Sequence, residues 1–363
     1  MRPRAFDVLR HLVENSGRVI TKDEFIQAVW RGLSVTDDAL VQCMRDVRHA
    51  LGDEARQIVK TVPRRGYLFS AEVSDGTSNT CLPIQSSQKV GFCSTTDGVS
   101  IAMALSGQGM PVIRTATWFN HLEYDWNVQL RGALLRSLAD RFQLIRYDGR
   151  GTGLSDRYVP EISFATFHED LEAVIDALQL TQYALLGVSQ GAATAIVHAV
   201  CYPERVTKLV LNGGFALGRN KRGSPKDVET GEALLTLMRH GWGDEHSAFL
   251  RIYASHFYPS ASAEEIRALA ELQRAATSAD NAARIRVATS DIDVRDLVRK
   301  VSAPTLVIHS RHDNAVPFSE GCRLASEIPN AKLLVLESEN HVPLPGEPAW
   351  PHFVHAISSF LAE

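Results

Sequence analysis

This chain has no stretch approaching the roughly 18 uncharged apolar residues that a membrane-spanning helix needs. Its N-terminus sets Arg2 and Arg4 ahead of an amphipathic pattern and lacks the apolar core of a secretory signal. A cytoplasmic protein with no membrane partner is therefore expected. Cysteine is scarce: Cys43, Cys81, Cys93, Cys201 and Cys322 are odd in number and scattered, with no C-x-x-C pair. That argues against a disulfide framework and against a zinc site, so free thiols are expected and no metal or cofactor is called for. Internal repeats and low-complexity tracts are also missing. What remains is 363 residues, 45% hydrophobic and 22% charged, an ordinary globular composition too long for one average domain. Two domains are expected.

The net charge of −4 is unevenly placed. Residues 1–72 hold 12 Lys+Arg against 10 Asp+Glu, so a mildly basic head sits on an acidic remainder. Such a head permits contact with nucleic acid. After it, residues 73–89 read S-D-G-T-S-N-T and then S-S-Q, poor in large apolar residues and rich in turn formers, as linkers are. The division predicted is a head at 1–72, a linker at 73–89 and a second domain at 90–363.

Apolar residues at Phe6, Leu9 and Val13, then at Ile20, Phe25 and Val29, mark two short amphipathic helices. The second carries a capping box, Thr21 with Glu24. A third helix starts at Thr36, with Asp37 and Asp38 in its first turn, and runs through Leu40, Val41, Met44, Val47 and Leu51 to Gly52. Extended pieces at Ile58–Thr61 and Tyr67–Phe69 follow, joined by Pro63-Arg64-Arg65-Gly66. Helix, helix, longer helix and hairpin make a winged helix-turn-helix. Arg45, Arg48 and His49 fall on the third helix away from its apolar stripe, with Arg64 and Arg65 at the hairpin tip, where they suit a major groove and flanking phosphates. A plain solvated face is the alternative.

The segments AFDVLRHLVENSGRVITKDEFIQAVW, ALVQCMRDVRHALGD and IVKTVPRRGYLF resemble the DNA-binding output domain of response regulators of the OmpR/PhoB class, over about residues 4 to 70. The resemblance implies that the third helix is the recognition helix, the hairpin the wing and promoter DNA the partner, with a homodimer as the usual arrangement. It also implies a small sheet before the first helix, whereas this sequence opens almost at that helix, and no receiver domain is evident.

Beyond the linker, strand-like runs alternate with helical ones: Val112–Thr115, Phe142–Tyr147, a helix near Phe167–Leu178, Ala184–Gly187, a helix from Ala192, Lys208–Asn212, Thr305–His309 and Lys332–Leu336. This alternation argues for a mostly parallel sheet with helices on both faces, and ligands in such sheets bind at the carboxyl ends of strands. Directly after the strand YALLG comes Gly187-Val188-Ser189-Gln190-Gly191, then the small-residue helix AATAIVHAV. A sharp strand-to-helix turn would lift the Ser189 hydroxyl into the open, with glycines at −2 and +2 letting neighbouring backbone pass. A serine needs an adjacent base that is itself oriented by a carboxylate. Asp313 in RHDNAVPF and His341 in ENHVPL follow in the order Ser, acid, His, each in a loop after a strand. Asp291, Asp293, Glu337 and Glu339 are further candidates for the acid.

These segments, with DGRGTGLSD at Asp148–Asp156, resemble the α/β-hydrolase superfamily over about residues 90 to 361. WFNHLEYDW, GVSQG, RHDNAVPF and ENH look more narrowly like a bacterial subgroup fused to regulatory modules. The resemblance implies nucleophile Ser189, acid Asp313 and base His341. An oxyanion hole would use the backbone N–H of Gln190 and one from the loop after Val112–Thr115, where Ala116-Thr117 replaces the common His-Gly pair and Trp118 becomes the second donor. Trp118 could equally be a pocket wall. Residues 215–295 read as a helical cap, with Trp242, Phe249, Tyr253, Phe257 and Tyr258 either lining a substrate pocket or packing cap on body. Two functions follow. One is a one-component transcriptional regulator whose hydrolase domain binds, and in its catalytic form cleaves, a small ester- or lactone-like ligand. The other is a metabolic serine hydrolase with a vestigial or interaction-only head.

Overall fold

The computed structural model describes residues 3–30, 37–51, 58–62, 65–70, 88–222, 225–242 and 248–363. It forms two compact units, Met1–Pro83 and Ile84–Glu363. Thr36, Arg64, Cys81, the His49 side chain and nearly all of the expected linker lie outside the described residues. Among the described residues Cys93, Cys201 and Cys322 are free thiols. Among the described residues no helix is long and apolar enough to cross a membrane.

The first unit has helices Pro3–Glu14, Lys22–Trp30 and Asp37–Ala50 and three short strands, β1 (Val19–Ile20), β2 (Val59–Val62) and β3 (Gly66–Phe69). The strands pair antiparallel in the order β1-β3-β2. The hairpin is the expected one, but β1 is an addition, because two residues are too few to show an alternation. Gly66 has φ +138°, and a Cβ there would lie 1.9 Å from the Ile20 carbonyl oxygen, so only glycine lets β1 close on the wing. The capping box forms: the Thr21 amide donates to Glu24 Oε2 at 2.8 Å, and the Glu24 amide to Thr21 Oγ1 at 3.2 Å. The hydrogen bond from Arg18, with those from Thr21, pulls the Glu24 carboxyl down to about 2. The first helix buries Ala5, Val8 and Leu12 completely and leaves Leu9 and Val13 only partly buried. The buried stripe thus runs through Ala5, Val8 and Leu12, with Leu9 and Val13 at its margin, because this helix packs on both other helices and on β3.

The second unit is built on an eight-stranded sheet: β4 (Lys89–Ser94), β5 (Ser100–Ser106), β6 (Pro111–Arg114), β7 (Gln143–Tyr147), β8 (Tyr183–Val188), β9 (Val206–Asn212), β10 (Thr305–Ser310) and β11 (Ala331–Leu336). Its order is β11-β10-β9-β8-β6-β7-β5-β4. β4 and β5 pair antiparallel, β5 meets β7 antiparallel, and the remaining pairs are parallel. The β4–β5 hairpin has no counterpart in the sequence reading, since β4 is an edge strand with Phe92 61% exposed and no clean alternation. Along the inner strands, Ile113, Ile145, Leu185 and Leu209 face one core with the helices Phe164–Ala177 and Gly191–Cys201. Their neighbours Val112, Leu144, Leu186 and Val210 face the other, under the helices Gln129–Ala139 and Ala349–Ala362. This two-sided burial is why the strands read as near-continuous apolar runs. Chain order reverses around β6 and β8, so the loops after these two strands flank one crevice at the carboxyl edge.

Between β9 and β10 lies a cap of four longer helices, Pro225–Gly241, Ala248–Phe257, Ala263–Ala276 and Ala279–Ser290. Below it, the turn after β7 is held by the buried Asp148, whose Oδ2 accepts from the amides of Leu122 at 3.1 Å and Leu154 at 2.8 Å. Burial pushes the Asp148 carboxyl from 3.8 up to about 7 against those two amides. The folded chain therefore keeps a proton that the unfolded chain releases, and stability falls as pH rises from about 4 through 7. Asp148→Asn mimics the protonated form. It is expected to melt close to the parent at about pH 3, where folded and unfolded chains both hold the proton, and about 5 °C or more above it at pH 8 in thermal denaturation; equal midpoints at pH 8 would contradict this.

Candidate active site

Ser189 sits at the turn between β8 and the helix Gly191–Cys201 with φ +54°, a left-handed conformation rarely adopted by a residue with a Cβ. Its amide is tied to the Asn212 carbonyl at 2.9 Å. The flanking glycines are required by contact. A Cβ on Gly187 would lie 2.6 Å from Ala192 Cα, and one on Gly191 would lie 2.4 Å from Thr115 Oγ1 and 3.0 Å from the Ala116 carbonyl oxygen. Thr115 Oγ1 itself donates to the Gly191 carbonyl at 2.9 Å, which clamps the loop after β6 against the elbow.

His341 and Asp313 come together from loops after β11 and β10. His341 Nδ1 lies 2.6 Å from Asp313 Oδ2, with both side chains almost wholly buried. The other carboxylate oxygen accepts from the amides of Ala315 at 2.8 Å and Val316 at 3.1 Å. Burial opposes ionisation of Asp313, but the His341 ring and its hydrogen bond, with the Val316 amide, hold the carboxyl below its usual range. An ionised Asp313 fixes the neutral histidine as the Nδ1–H tautomer. Nε2 is then an acceptor, and among the described residues it has no hydrogen-bond partner. Ser189 and His341 line the same cavity of about 690 Å³, counted out to its open mouth. The other acid candidates are engaged elsewhere or do not reach the ring: Asp293 pairs with Arg295 at 2.7 Å, Glu337 with Arg311 at 2.7 Å, and Asp291 accepts from Asn220 at 3.0 Å. Glu339 makes no hydrogen bond or ion pair with His341 among the described residues.

The amides of Gln190 and Trp118 have no acceptor among the described residues, and both residues border the crevice beside Ser189. The loop that lacks glycine is braced instead by side chains. The Thr117 amide donates to Asn120 Oδ1, Asn120 Nδ2 donates to Asp125 Oδ2 at 3.1 Å, and Asp125 pairs with Arg131 at 3.1 Å. Trp118 packs edge-on against Tyr253 of the cap, ring centroids 5.0 Å apart, and lies 5.7 Å from Trp242. The cap aromatics divide between the two expected roles. Trp242 is fully buried with its indole N–H on the Thr277 carbonyl at 2.9 Å, and Phe249 packs with it. Phe257 and Tyr258 line the cavity and Tyr253 a second, more polar one of about 570 Å³ on the cap side of Ser189.

Three features escaped the sequence reading. His309, at the end of β10, donates from Nε2 to the Val316 carbonyl at 3.1 Å and lies 3.5 Å from Asp313 Oδ2. Asn340, beside the histidine, donates to Glu347 at 2.6 Å and accepts from the Ser260 amide of the cap at 3.2 Å, while the His341 amide donates to the Phe257 carbonyl at 2.8 Å. Arg114, on β6, lines the cavity. In the first unit Arg45 and Arg65 are exposed, whereas Arg48 reaches back to the Val59 carbonyl at 2.7 Å and Thr61 Oγ1 at 2.9 Å.

An eight-stranded, mostly parallel sheet with a serine on a strained strand-to-helix elbow and a helical cap defines an α/β-hydrolase fold. Residues 118–239 match the family described as "alpha/beta hydrolase fold", and residues 1–69 match "Transcriptional regulatory protein, C terminal". The chain thus joins a transcriptional-regulator DNA-binding domain of the OmpR/PhoB type to an α/β-hydrolase domain. It is 26% identical over 254 residues to the AB hydrolase superfamily protein YisY of Bacillus subtilis, covering 69% of this chain and 91% of that one. It is 27% identical over 219 residues to 3-oxoadipate enol-lactonase 2 of Acinetobacter baylyi, covering 60% and 79%. Among solved structures, an esterase from Exiguobacterium antarcticum aligns with TM-score 0.65 at 24% identity over 76% of this chain and 100% of that one.

Proposed function

We propose that this protein is a one-component transcriptional regulator whose hydrolase domain binds and cleaves a small ester- or lactone-like ligand. The observation that carries the chemistry is the 2.6 Å bond between His341 Nδ1 and Asp313 Oδ2, with Nε2 left as an acceptor in the cavity that holds Ser189. Ser189 Oγ attacks the carbonyl carbon as Nε2 takes its proton. The tetrahedral oxyanion is met by the amides of Gln190 and Trp118, the former at a helix N-terminus. Collapse expels the alcohol, which receives the proton from His341, and water then cleaves the acyl-serine by the same route. Asp313 stays ionised and stabilises the imidazolium.

On the DNA side, the helix Asp37–Ala50 would enter the major groove with Arg45, Arg48 and His49, and the wing would set Arg64 and Arg65 on phosphates. Arg45→Ala with Arg65→Ala is expected to weaken a gel shift on the gene's own upstream region and to flatten its log affinity against log salt slope by about two. Pre-treating the protein with an ester-reactive fluorophosphonate is expected to change the affinity of the shift, coupling ligand state to DNA. The engagement of Arg48 inside its own domain favours the second reading, a metabolic hydrolase with an interaction-only head. No shift at low salt would decide for it.

A further inference from the structure

Arg114 lines the cavity with a charge that the triad leaves unused. It follows Val112 and Ile113 on β6, and strand alternation turns it to the same side as Val112, under the helices Gln129–Ala139 and Ala349–Ala362. That side is lined mainly by apolar residues, with Arg146 of β7 and Arg131 of the helix Gln129–Ala139 as its charged neighbours. The residue is only 6% exposed, and its guanidinium makes no hydrogen bond or ion pair among the described residues. Its neighbours do not compensate it. Arg146, its register partner on β7, and Arg131 both repel it, and Asp125, the carboxylate that attracts it, is already paired with Arg131 at 3.1 Å and bonded to Asn120. Burial and the two arginines push its pKa down to about 10, still charged at neutral pH.

A buried, unpaired cation costs stability, and a neutral side chain of the same length would remove that cost. Its place on the wall of the Ser189 cavity gives the charge a use. We propose that Arg114 is a specificity residue that binds a carboxylate on the ligand, so that the ligand is an ester or lactone of an apolar acyl chain ending in a carboxylate. The apolar body would lie between Phe119, Leu134, Leu135 and Phe257, with the scissile carbonyl at Ser189 and the far end on the guanidinium. A planar guanidinium fork matches a carboxylate bidentately, and in an apolar cavity that pairing is stronger than in water. The assignment of the scissile end rests on the nucleophile reading of Ser189; the anion site does not.

The test compares mono-4-nitrophenyl adipate with 4-nitrophenyl hexanoate on the full-length protein. The wild type is expected to favour the adipate ester at least tenfold in kcat/KM. That ratio should fall about 100-fold in Arg114→Met and about tenfold in Arg114→Lys, which keeps the charge but not the fork. Arg114→Met should also melt no lower than the wild type, since it removes an uncompensated buried charge. A ratio unmoved in Arg114→Met would overturn the proposal. A binding arm in the Ser189→Ala background needs no turnover: hexanoate should raise the melting temperature more than hexanamide does, and the difference should vanish when Arg114→Met is added. Equal effects of the two ligands would overturn the anion site, whereas hexanoate selectivity without any ester turnover in the parent would leave it standing and remove only the nucleophile reading.

Discussion

Replacing Ser189 with alanine should abolish burst release of 4-nitrophenolate from a short-chain 4-nitrophenyl ester and lower kcat by on the order of 10⁴- to 10⁶-fold. The change removes one oxygen and leaves the elbow intact, because the left-handed backbone at φ +54° is held by the Asn212 carbonyl and the close passage of Gly187 and Gly191, not by the hydroxyl. Fold and melting temperature should therefore be nearly unchanged. Stopped-flow absorbance separates the outcomes. A burst of unchanged amplitude in the variant would remove Ser189 from the nucleophile role and turn attention to a surface residue reacting non-specifically.

Asp313→Asn should lower kcat on the same ester by about 10⁴-fold while leaving the fold in place. Hydrogen-bond polarity sets the outcome. The amides of Ala315 and Val316 both donate to Oδ1, so the carboxamide oxygen must stay on that side. The amide nitrogen is then left facing His341, where the native chain has a carboxylate oxygen 2.6 Å from Nδ1. Two donors cannot face each other, so the ring moves its proton to Nε2 and loses the lone pair that accepts from Ser189. Steady-state kinetics alongside circular dichroism would check this. A loss smaller than tenfold would mean that another group orients the ring, and His309 with its 3.5 Å approach to the same oxygen would be the place to look.

Much of the site was legible because it is written at fixed offsets from strong elements. Ser189 follows a fully buried strand by one residue, and Asp313 and His341 occupy loops after β10 and β11, so strand detection alone places all three at one edge of the sheet. What could not be read depends on distances between segments remote in sequence. β1 exists only because β3 lies beside it, and β4 carries too little burial to impose a pattern. Arg48 occupies the outward side of its helix on a helical wheel, yet its length lets it return to the Val59 carbonyl, which no periodicity can anticipate. Arg114 is hidden for the opposite reason. A charged residue ending a buried strand looks like a strand terminus at the solvent edge, and only the packing of two helices over it reveals an enclosed charge. The first helix of the head shows the same limit: a single stripe assumes one neighbour, and this helix has three.

The bonds that join the histidine loop to the cap carry a mechanical consequence. The His341 amide is held by Phe257 and Asn340 by Ser260, and the Phe257 ring stands edge-on to the imidazole at 5.7 Å. A cap that swings away must break these ties or drag the base with it. The open form would then be a poor catalyst toward solvent, and reactivity would return only as the lid seats over a guest. In a molecule that also bears a transcriptional-regulator domain, occupancy of the pocket and readiness of His341 would rise and fall as one variable.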